Sequence, residues 1–494
     1  MWPKIPSGFV RSVLAGHSAL GLFFAALLYM VCLSGTITVF RAEIQQWEQP
    51  GVAAGRAAPE AVERALGDIY KLKSDQHGEA LHSVAVFNNP DREPRPIATW
   101  SVDGGEFGAR YVDLKTGALL EETHTPFAEY LENLHVHLRL PSPWGIYLVG
   151  LIGVAMLSLV VSGLLAHPRI FKDAFHLRRG GSMRLQEADL HNRMSVWALP
   201  FHLTISFTGA FLGLSFFIVG ILAFIAYDGD QEAAVRAILG PQATEDHDPR
   251  PLPGGSSMFA DAQARTGLSQ VNYVLAEHPG TAGQILTVEM NAPRDLSTGE
   301  VLYYDAEGTF IEASGSAFGS FGPQTVAAMG PLHFGWFGGL ATKLAYLVFG
   351  LASTLVASTG VSIWLARRRE QGRPTPVWER VWTTAAWGGA LACAAPGLFA
   401  PLGEAWFNPV LILCLAVSLA LAFTLKSPRA VSRTLRSALA AALAALAAQN
   451  IWLNGGAALQ GAPLAVNLAL LALAAAMVSS LVMGEDAQEA AAPA

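Results

Sequence analysis

Long apolar runs alternate along this chain with two long polar segments. A helix that crosses a lipid bilayer needs about 20 predominantly apolar residues. Four apolar runs of about this length or longer lie at about 13–40, 146–166, 195–227 and 337–365. Four further runs follow at about 385–399, 410–425, 438–452 and 463–483. The pattern predicts an all-α membrane bundle of about eight spans.

The two polar segments carry strand and turn signals in place of long apolar runs. In the first, residues 59–71 predict a short helix that begins with a proline, and two strand-like runs follow at 82–87 and 96–102. Residues 109–121 then predict a hairpin that turns at Lys115-Thr116-Gly117. The second segment has a similar Tyr-Asp-x-x-Gly hairpin at 301–313. We therefore expect two small α+β domains of similar build.

A third polar element is an amphipathic helix at 126–140, just before the second span. Thr125 is placed to cap this helix, and Pro141 ends it. The helix carries His135 and His137. The predicted organisation runs, in order, through a first span (1–40), a polar domain with its histidine-bearing helix (41–143), two spans with a basic loop (144–227), a second polar domain (228–330), a fourth span (331–369) and a four-span extension (370–494).

Composition supports a polytopic membrane protein. Of the 494 residues, 52% are hydrophobic and only 14% are charged, which is too apolar for an ordinary soluble protein. The formal net charge of −7 is segregated between loops and polar domains, and nucleic-acid binding has no support. Cys32, Cys393 and Cys414 all fall in apolar runs, so we expect core residues in place of a disulfide framework or a CxxC metal site.

Positive charges predict the orientation. The loop between the second and third spans is densely basic, and Arg367, Arg368 and Arg369 end the fourth span, which predicts the cytoplasmic side for both. The basic residues of that loop are Arg169, Lys172, Arg178, Arg179, Arg184 and Arg193. Lys4 and Arg11 precede the first run, which is too long for a signal peptide and is expected to stay uncleaved. Both termini are then cytoplasmic and both polar domains lie outside.

Histidines at span ends form two predicted layers. His17 and His191 open the first and third spans on the cytoplasmic side, and His135 and His333 precede the second and fourth spans on the outer side. Each layer takes one imidazole from each of two helices. That arrangement would ligate one haem iron axially from both faces. An iron saturated in this way suits electron transfer and has no position for oxygen. Any one of these histidines alone would be explained by a position at the membrane interface or by a hydrogen bond within the bundle. The matched set of four favours ligation of a metal or haem.

Two more histidines are alternative ligands. His202 lies eleven residues after His191, so on a continuous helix both share nearly one face, and His202 would line the pocket, replace His191 or bind a propionate. His137 is about 200° around the helix from His135, so we do not expect both residues to bind the same iron. We favour His135 because Leu134-His135 parallels Leu332-His333. Zinc is a weaker alternative, since HExxH and CxxC are absent.

These motifs resemble a known family, the PepSY-associated transmembrane helix proteins, over about residues 8–369. The resemblance rests on the order and spacing of several short motifs. They are His17-x-x-x-Gly21, Asp189-Leu190-His191, Trp197-x-Leu199-Pro200-Phe201, Thr208-Gly209, the Leu134-His135 and Leu332-His333 pairs, and the span-end pairs Ser162-Gly163 and Thr359-Gly360. An apparent internal duplication relates Ser34-Gly35 to Thr208-Gly209, with His17 and His191 each eighteen residues before the glycine.

The resemblance implies a bacterial inner-membrane cytochrome with two periplasmic PepSY-like domains. It implies two b-type haems that pass electrons outward to reduce a ferric siderophore. The cytoplasmic loops are too short for a flavin or nicotinamide domain, so the donor is expected to be a separate quinol or soluble reductase. Asn192 and Ser18 stand where an arginine commonly follows the histidine in the family. The four C-terminal spans are an addition, predicted to be a packing or assembly module because they lack histidine and buried acid.

Two rival functions follow from the same sequence. PepSY domains also occur as peptidase inhibitors or sensors, for which the spans would be anchors only, and an anchor does not need paired histidines. An iron-chelate permease would need polar or acidic residues along a pathway, and the first four spans offer few. Both rivals predict a colourless protein, so an absorption spectrum separates them from the cytochrome.

Overall fold

The computed structural model folds into two compact units. The structure describes residues 6–167, 170–175, 182–292, 296, 299–314 and 321–489. One unit, here the bundle unit, comprises 1–50, 125–214 and 343–494. The other, the sheet unit, comprises 51–124 and 215–342. Several charged residues used in the sequence argument lie outside the described residues, namely Lys4, Arg169, Arg178 and Arg179.

Seventeen α-helices lie within the described residues. In the first half of the chain they are α1 (Ser7–Thr38), α2 (Arg41–Glu48), α3 (Pro59–His77), α4 (Pro126–His137), α5 (Trp144–Ala166), α6 (Ile170–Asp173), α7 (Met183–Trp197), α8 (Leu199–Gly213), α9 (Ser215–Ala226) and α10 (Gln231–Leu239). In the second half they are α11 (Gly255–Thr266), α12 (Phe321–Phe334), α13 (Gly339–Glu370), α14 (Pro376–Ala394), α15 (Phe407–Thr424), α16 (Pro428–Asn454) and α17 (Gly461–Glu489).

The described residues contain seven helical segments that are long and apolar enough to cross a membrane, and a bent pair brings the number to eight. The seven include α1, α5 and α13, together with four segments built on α14, α15, α16 and α17. The bent pair is α7 with α8. The prediction of a multi-pass bundle with about eight spans is therefore confirmed at the level of helix number and hydropathy.

The third predicted span is not one continuous helix. Its axis turns by 71° between α7 and α8, at Ala198. Pro200 stands in the first turn of α8, where its missing N–H is tolerated, whereas a helix running through it would lose a hydrogen bond and clash with a carbonyl. The expectation that His191 and His202 share one face of a single helix is therefore wrong. His191 belongs to α7 and His202 to α8.

Both polar segments contribute to one antiparallel sheet in the sheet unit. Its strands are β1 (Leu81–Phe87), β2 (Ile97–Val102), β3 (Phe107–Val112), β4 (Leu119–Glu122), β5 (Val271–Glu277), β6 (Ile285–Asn291), β7 (Gly299–Tyr304) and β8 (Phe310–Ser314). The order is β4-β3-β2-β1-β5-β6-β7-β8. The predicted strands and both hairpins are present. The two domains expected from sequence are joined into one sheet, because β1 pairs with β5 from Ser83–Glu277 to Phe87–Tyr273.

The core of the sheet unit lies where α3 and α11 pack on the sheet. Ile69 of α3 and Met258 of α11 are fully buried with Val84, Val274 and Leu286 of the strands. Burying such side chains supplies the main stabilisation of a sheet covered on one face. Each half of the sheet therefore carries its own helix, which agrees with the similar build predicted for the two segments.

The C-terminal helices hold α2 and α4 in the bundle unit. Phe127, Tyr130 and Leu131 of α4 are buried in one apolar cluster with side chains of α14, α15 and α16. The Tyr130 hydroxyl donates a hydrogen bond of 2.7 Å to the Ala392 carbonyl. The four-span extension predicted to be a packing module thus packs directly on the helix that carries His135.

Two buried asparagines connect this extension to α2. The Trp47 indole donates to the Asn467 side-chain oxygen at 2.8 Å, and the Asn450 amide donates to the Trp47 carbonyl at 2.6 Å. The Asn467 amide in turn donates to the Asn450 side-chain oxygen at 3.1 Å. All three residues are at most 5% exposed. Buried polar groups that are paired in this way fix a unique packing, and an unpaired one is costly.

We expect Asn450→Leu to destabilise the bundle unit by about 1–3 kcal/mol, because it leaves the Trp47 carbonyl and the Asn467 amide buried without this partner. The measurement is the apparent melting temperature of the detergent-purified protein. Gln460→Ala, at an exposed position between α16 and α17, is the control and should change little. An unchanged melting temperature in Asn450→Leu would show that the network does not stabilise the fold.

Candidate functional site

His17 and His191 meet inside the bundle unit. His17 lies on α1 and His191 on α7, and their ring centroids are 6.4 Å apart with planes at 85°. The two residues are 174 positions apart in sequence, so the fold, not local geometry, brings them together. The sequence predicted them as partners in one layer, and the structure places the rings face to edge at a short distance.

Each of these imidazoles is held by a hydroxyl at its Nδ1 atom. His17 Nδ1 lies 3.0 Å from the Ser162 hydroxyl, and His191 Nδ1 lies 3.1 Å from the Thr359 hydroxyl. The Ser162 hydroxyl donates its own proton to the Leu159 carbonyl, and the Thr359 hydroxyl donates to Leu355. Each hydroxyl therefore accepts from the imidazole, so we assign the proton to Nδ1. The lone pair at Nε2 is left for a ligand.

The spacing of the two rings suits two ligands on opposite sides of one metal ion. A metal–imidazole bond of about 2.0–2.1 Å, plus about 1.1 Å from nitrogen to ring centre, puts opposite ring centroids about 6.3 Å apart. The observed separation of 6.4 Å agrees with this value. In proteins, Nδ1–H bonded to an oxygen is the usual support for a histidine that ligates through its other nitrogen. The centroid separation and the two supported Nδ1 atoms are thus compatible with a haem iron that His17 and His191 would hold between them.

His135 has the same kind of support at another level of α1. Its Nδ1 lies 3.0 Å from the Val31 carbonyl and 3.5 Å from the Ser34 hydroxyl. A carbonyl can only accept, so Nδ1 again carries the proton and Nε2 is the available ligand atom. Val31 is fourteen residues after His17 on the same helix, which corresponds to about 21 Å along its axis. The two histidine levels are therefore separate sites.

A glycine next to each hydroxyl lets the imidazole approach. A Cβ at Gly35 would lie 2.6 Å from His135 Cε1, one at Gly163 would lie 3.3 Å from His17 Cε1, and one at Gly360 would lie 3.6 Å from His191 Cε1. The Ser-Gly and Thr-Gly pairs were recognised in the sequence as span ends and as a duplication. The sequence did not reveal that Ser34-Gly35, Ser162-Gly163 and Thr359-Gly360 each contact a histidine.

His137 is the alternative ligand on the same helix as His135. It ends α4, and its Nδ1 is buried with no hydrogen-bond partner among the described residues. His135 contacts Val31 of α1 through Nδ1. The preference for His135 over His137 as a ligand stays a prediction.

His202 is the most deeply buried of the six candidates that the structure describes. Its side chain is 2% exposed, and its Nε2 has no partner in the described part of the chain. It lies near His191 but on α8, beyond the bend. An unpaired buried nitrogen costs free energy unless a ligand or a water satisfies it. His202 is therefore suited to line a pocket beside the His17–His191 pair.

His333 lies in the last turn of α12, in the sheet unit. Its ring contacts Phe334 edge to face at 5.3 Å. The adjacent Trp336 ring lies under the Arg92 guanidinium, which is 4.7 Å from its centroid, so this end of α12 is tied to the loop after β1. His135 belongs to the bundle unit, and its pairing with His333 stays a prediction.

The N-terminus of α4 is capped from another helix. The sequence favoured Thr125 as the cap, but the Thr125 side chain makes no capping hydrogen bond to the backbone. Instead the Glu48 carboxylate of α2 accepts from the Phe127 and Ala128 N–H groups, both at 2.8 Å. Burial raises the pKa of Glu48 to about 8, and these two N–H donors oppose the rise. The prediction of a Thr125 cap is corrected: Glu48 fixes where α4 begins and thus where His135 stands.

We expect Gly35→Ala to displace His135, because the added methyl group would overlap the imidazole. Overpacking of this kind costs about 1–3 kcal/mol, so the apparent melting temperature should fall. Gly360→Ala is the matched control, since its methyl group would meet His191 at an ordinary contact distance. Equal melting temperatures for the two variants would contradict the close approach at Gly35.

Two comparisons with known proteins agree with this architecture. The family described as "PepSY-associated TM region" matches residues 14–367. The chain is also 31% identical over 255 residues to "Uncharacterized protein PA4219" of Pseudomonas aeruginosa. That similarity covers 49% of this chain and 64% of the relative, so the chain spans less than two thirds of the relative's length. Three of the six candidate histidines (His17, His191 and His135) have their hydroxyl or carbonyl partners inside the matched range.

Proposed function

The chain belongs to the PepSY-associated transmembrane family, and from that premise we propose that it is a di-haem b cytochrome of the bacterial inner membrane. It passes electrons to the periplasm, where they reduce a ferric siderophore and release the iron. The single observation that carries the proposal is the His17–His191 pair, with ring centroids 6.4 Å apart and both Nδ1 atoms held by hydroxyls.

The ligand set of the inner site is His17 and His191. A haem held by these two imidazoles would exchange single electrons and leave no open position for oxygen. Ser162 and Thr359, on two further helices, hold the two imidazoles at Nδ1 and leave each Nε2 available. His202 is assigned to the pocket wall, where its unpaired Nε2 is available to a propionate or a water. Five helices (α1, α5, α7, α8 and α13) thus contribute to one site.

The outer site is assigned to His135 and His333. His135 is supported by its Nδ1 contact with the Val31 carbonyl, which leaves Nε2 available. His333 is assigned from the matching Leu134-His135 and Leu332-His333 pairs and from Thr208-Gly209, which corresponds to Ser34-Gly35 in the duplicated span.

Two sites are needed because a single one does not cross the membrane. The levels of His17 and Val31 differ by about 21 Å along α1, out of a hydrocarbon core of about 30 Å. Electrons enter at the inner site from a separate donor, a quinol or a soluble reductase. At the outer side one electron converts Fe(III) held by hard oxygen ligands into Fe(II), which such ligands bind far less strongly. The chelator then releases the metal.

Haem content tests the ligand assignments. We expect about two haems per wild-type chain, and about one in His191→Ala and in His333→Ala, because each variant removes one axial ligand from one site. His77→Ala, which removes a histidine of the sheet unit outside both candidate haem sites, is the control and should keep both. The measurements are a pyridine haemochrome assay and oxidised and dithionite-reduced spectra of protein that remains in the membrane. A variant that retains both haems rejects its assignment, and a colourless wild type rejects the cytochrome altogether.

Turnover tests the activity. We expect dithionite-reduced protein, freed of excess dithionite under anaerobic conditions, to be reoxidised on addition of a ferric hydroxamate or ferric catecholate. The α-band should disappear while a ferrous-specific chelator reports one Fe(II) formed per electron lost. His191→Ala should still deliver the electron held at its outer site, which separates the final step from transfer across the membrane. A reduced protein that is stable towards every ferric chelate offered would exclude a reductase while leaving the haem assignment intact.

A further inference from the structure

Three histidines outside the candidate haem sites converge on the surface of the sheet unit. His82 lies at the start of β1, His278 directly follows β5, and His247 lies in the loop before the second half of the sheet. The His82 and His278 ring centroids are 5.1 Å apart, and those of His247 and His278 are 6.3 Å apart.

Each of these imidazoles has one nitrogen beside an oxygen. His82 Nδ1 lies 3.3 Å from the Asp103 carboxylate, and His278 Nδ1 lies 3.1 Å from the Thr244 carbonyl. His247 Nε2 lies 3.2 Å from the Glu245 carboxylate. Carboxylate and carbonyl partners of this kind orient metal-ligating histidines in proteins and raise the basicity of the other ring nitrogen. The Nε2 atoms of His82 and His278 and the Nδ1 atom of His247 remain as ligand atoms.

The backbone at two of the three positions is unusual. The β1–β2 register shifts between Leu81 and Ser83, which places a bulge at His82. Bulges redirect a side chain, and they are frequent beside functional sites. His278 has φ = 47°, in the left-handed region that residues other than glycine rarely adopt. Such strained positions concentrate at functional sites.

The loop that carries His247 is fixed against the turn that follows His278. The Ala282 N–H donates to the Asp248 carbonyl at 2.7 Å, and the Gly283 N–H donates to Asp246 at 2.8 Å. The His278 N–H donates to the His82 carbonyl at 2.8 Å, which continues the β1–β5 ladder. Backbone hydrogen bonds therefore hold the three histidines close together, so their proximity does not depend on side-chain conformation alone.

We propose that His82, His247 and His278 form a binding site for a divalent transition-metal ion of the class that imidazole favours, represented by Zn²⁺. On a tetrahedral ion, the usual geometry of Zn²⁺, two imidazole centroids lie about 5 Å apart, and on opposite sides of an ion they lie about 6.3 Å apart. The His82–His278 separation of 5.1 Å agrees with the tetrahedral value, whereas His247, at 6.3 Å from His278, has to move closer. In the described residues no three ligating side chains are placed to hold a metal ion as they stand, so binding requires the imidazoles to rotate. His82 and His247 have side chains about half exposed, which permits it.

The site lies at the joint between the two halves of the sheet. His82 belongs to the first polar segment, and His247 and His278 belong to the second. An ion held by all three links the segments in addition to the β1–β5 hydrogen bonds. Since the ion binds the folded state alone, it should stabilise that state by mass action. The site does not depend on the proposed cytochrome function.

The test is a titration of the detergent-purified full-length protein, carrying an affinity tag without histidine, with Zn²⁺ alone. Calorimetry should show one saturable site per chain, and Zn²⁺ should raise the apparent melting temperature. His82→Ala and His278→Asn should each weaken binding by at least about 10-fold. Asparagine is chosen at 278 because it tolerates a left-handed backbone. His77→Ala is the control, since it removes a histidine of the same unit that is paired with Glu106.

Two results would overturn the site: no saturable Zn²⁺ binding by the wild type, or binding of equal strength in His82→Ala, His278→Asn and His77→Ala. The melting temperature of each variant without Zn²⁺ reports whether it is folded. His191→Ala, which is expected to lose a haem, should bind Zn²⁺ as the wild type does. The metal site and the cytochrome assignment can therefore fail separately.

Discussion

The candidate haem site depends on one type of hydrogen bond, from an imidazole Nδ1–H to an oxygen on a neighbouring helix. A serine or threonine inside a helix donates its proton to a carbonyl one turn earlier, as Ser162 and Thr359 do. Such a hydroxyl has only lone pairs to offer, and the Val31 carbonyl likewise only accepts. The neighbouring helix therefore selects the tautomer, and it leaves Nε2 of His17, His191 and His135 as the ligand atom.

The same constraint explains why glycine follows the hydroxyl residue. An imidazole that reaches the oxygen must lie against the helix surface at the next position, where a Cβ would collide at Gly35 and crowd the ring at Gly163. The hydroxyl thus accepts a hydrogen bond from the histidine, and the glycine beside it leaves room for the imidazole ring. Small residues at helix interfaces in membranes usually serve close packing alone. Here the space that they leave is filled by a histidine side chain.

Much of this architecture could be predicted because its signals are local. Hydropathy marks the spans, and turn residues mark the hairpins at Gly117 and Gly308. The remaining features depend on partners distant in sequence. The pairing of β1 with β5 joins segments almost 200 residues apart, and the Glu48 cap lies 79 residues before Phe127. Pro200 is a sequence signal for the bend at Ala198. The continuous hydropathy of that run nevertheless favoured a single helix.

The C-terminal helices contribute to the site although they carry no histidine. α4 has only twelve residues, a length at which an isolated helix is marginal in water, so packing has to define its position. Phe127, Tyr130 and Leu131 obtain that packing from α14, α15 and α16. The family match ends at residue 367, before these helices begin. Within this chain, then, the placement of His135 relies on a segment outside the part that defines the family, and changes in that segment should act on the histidine through α4.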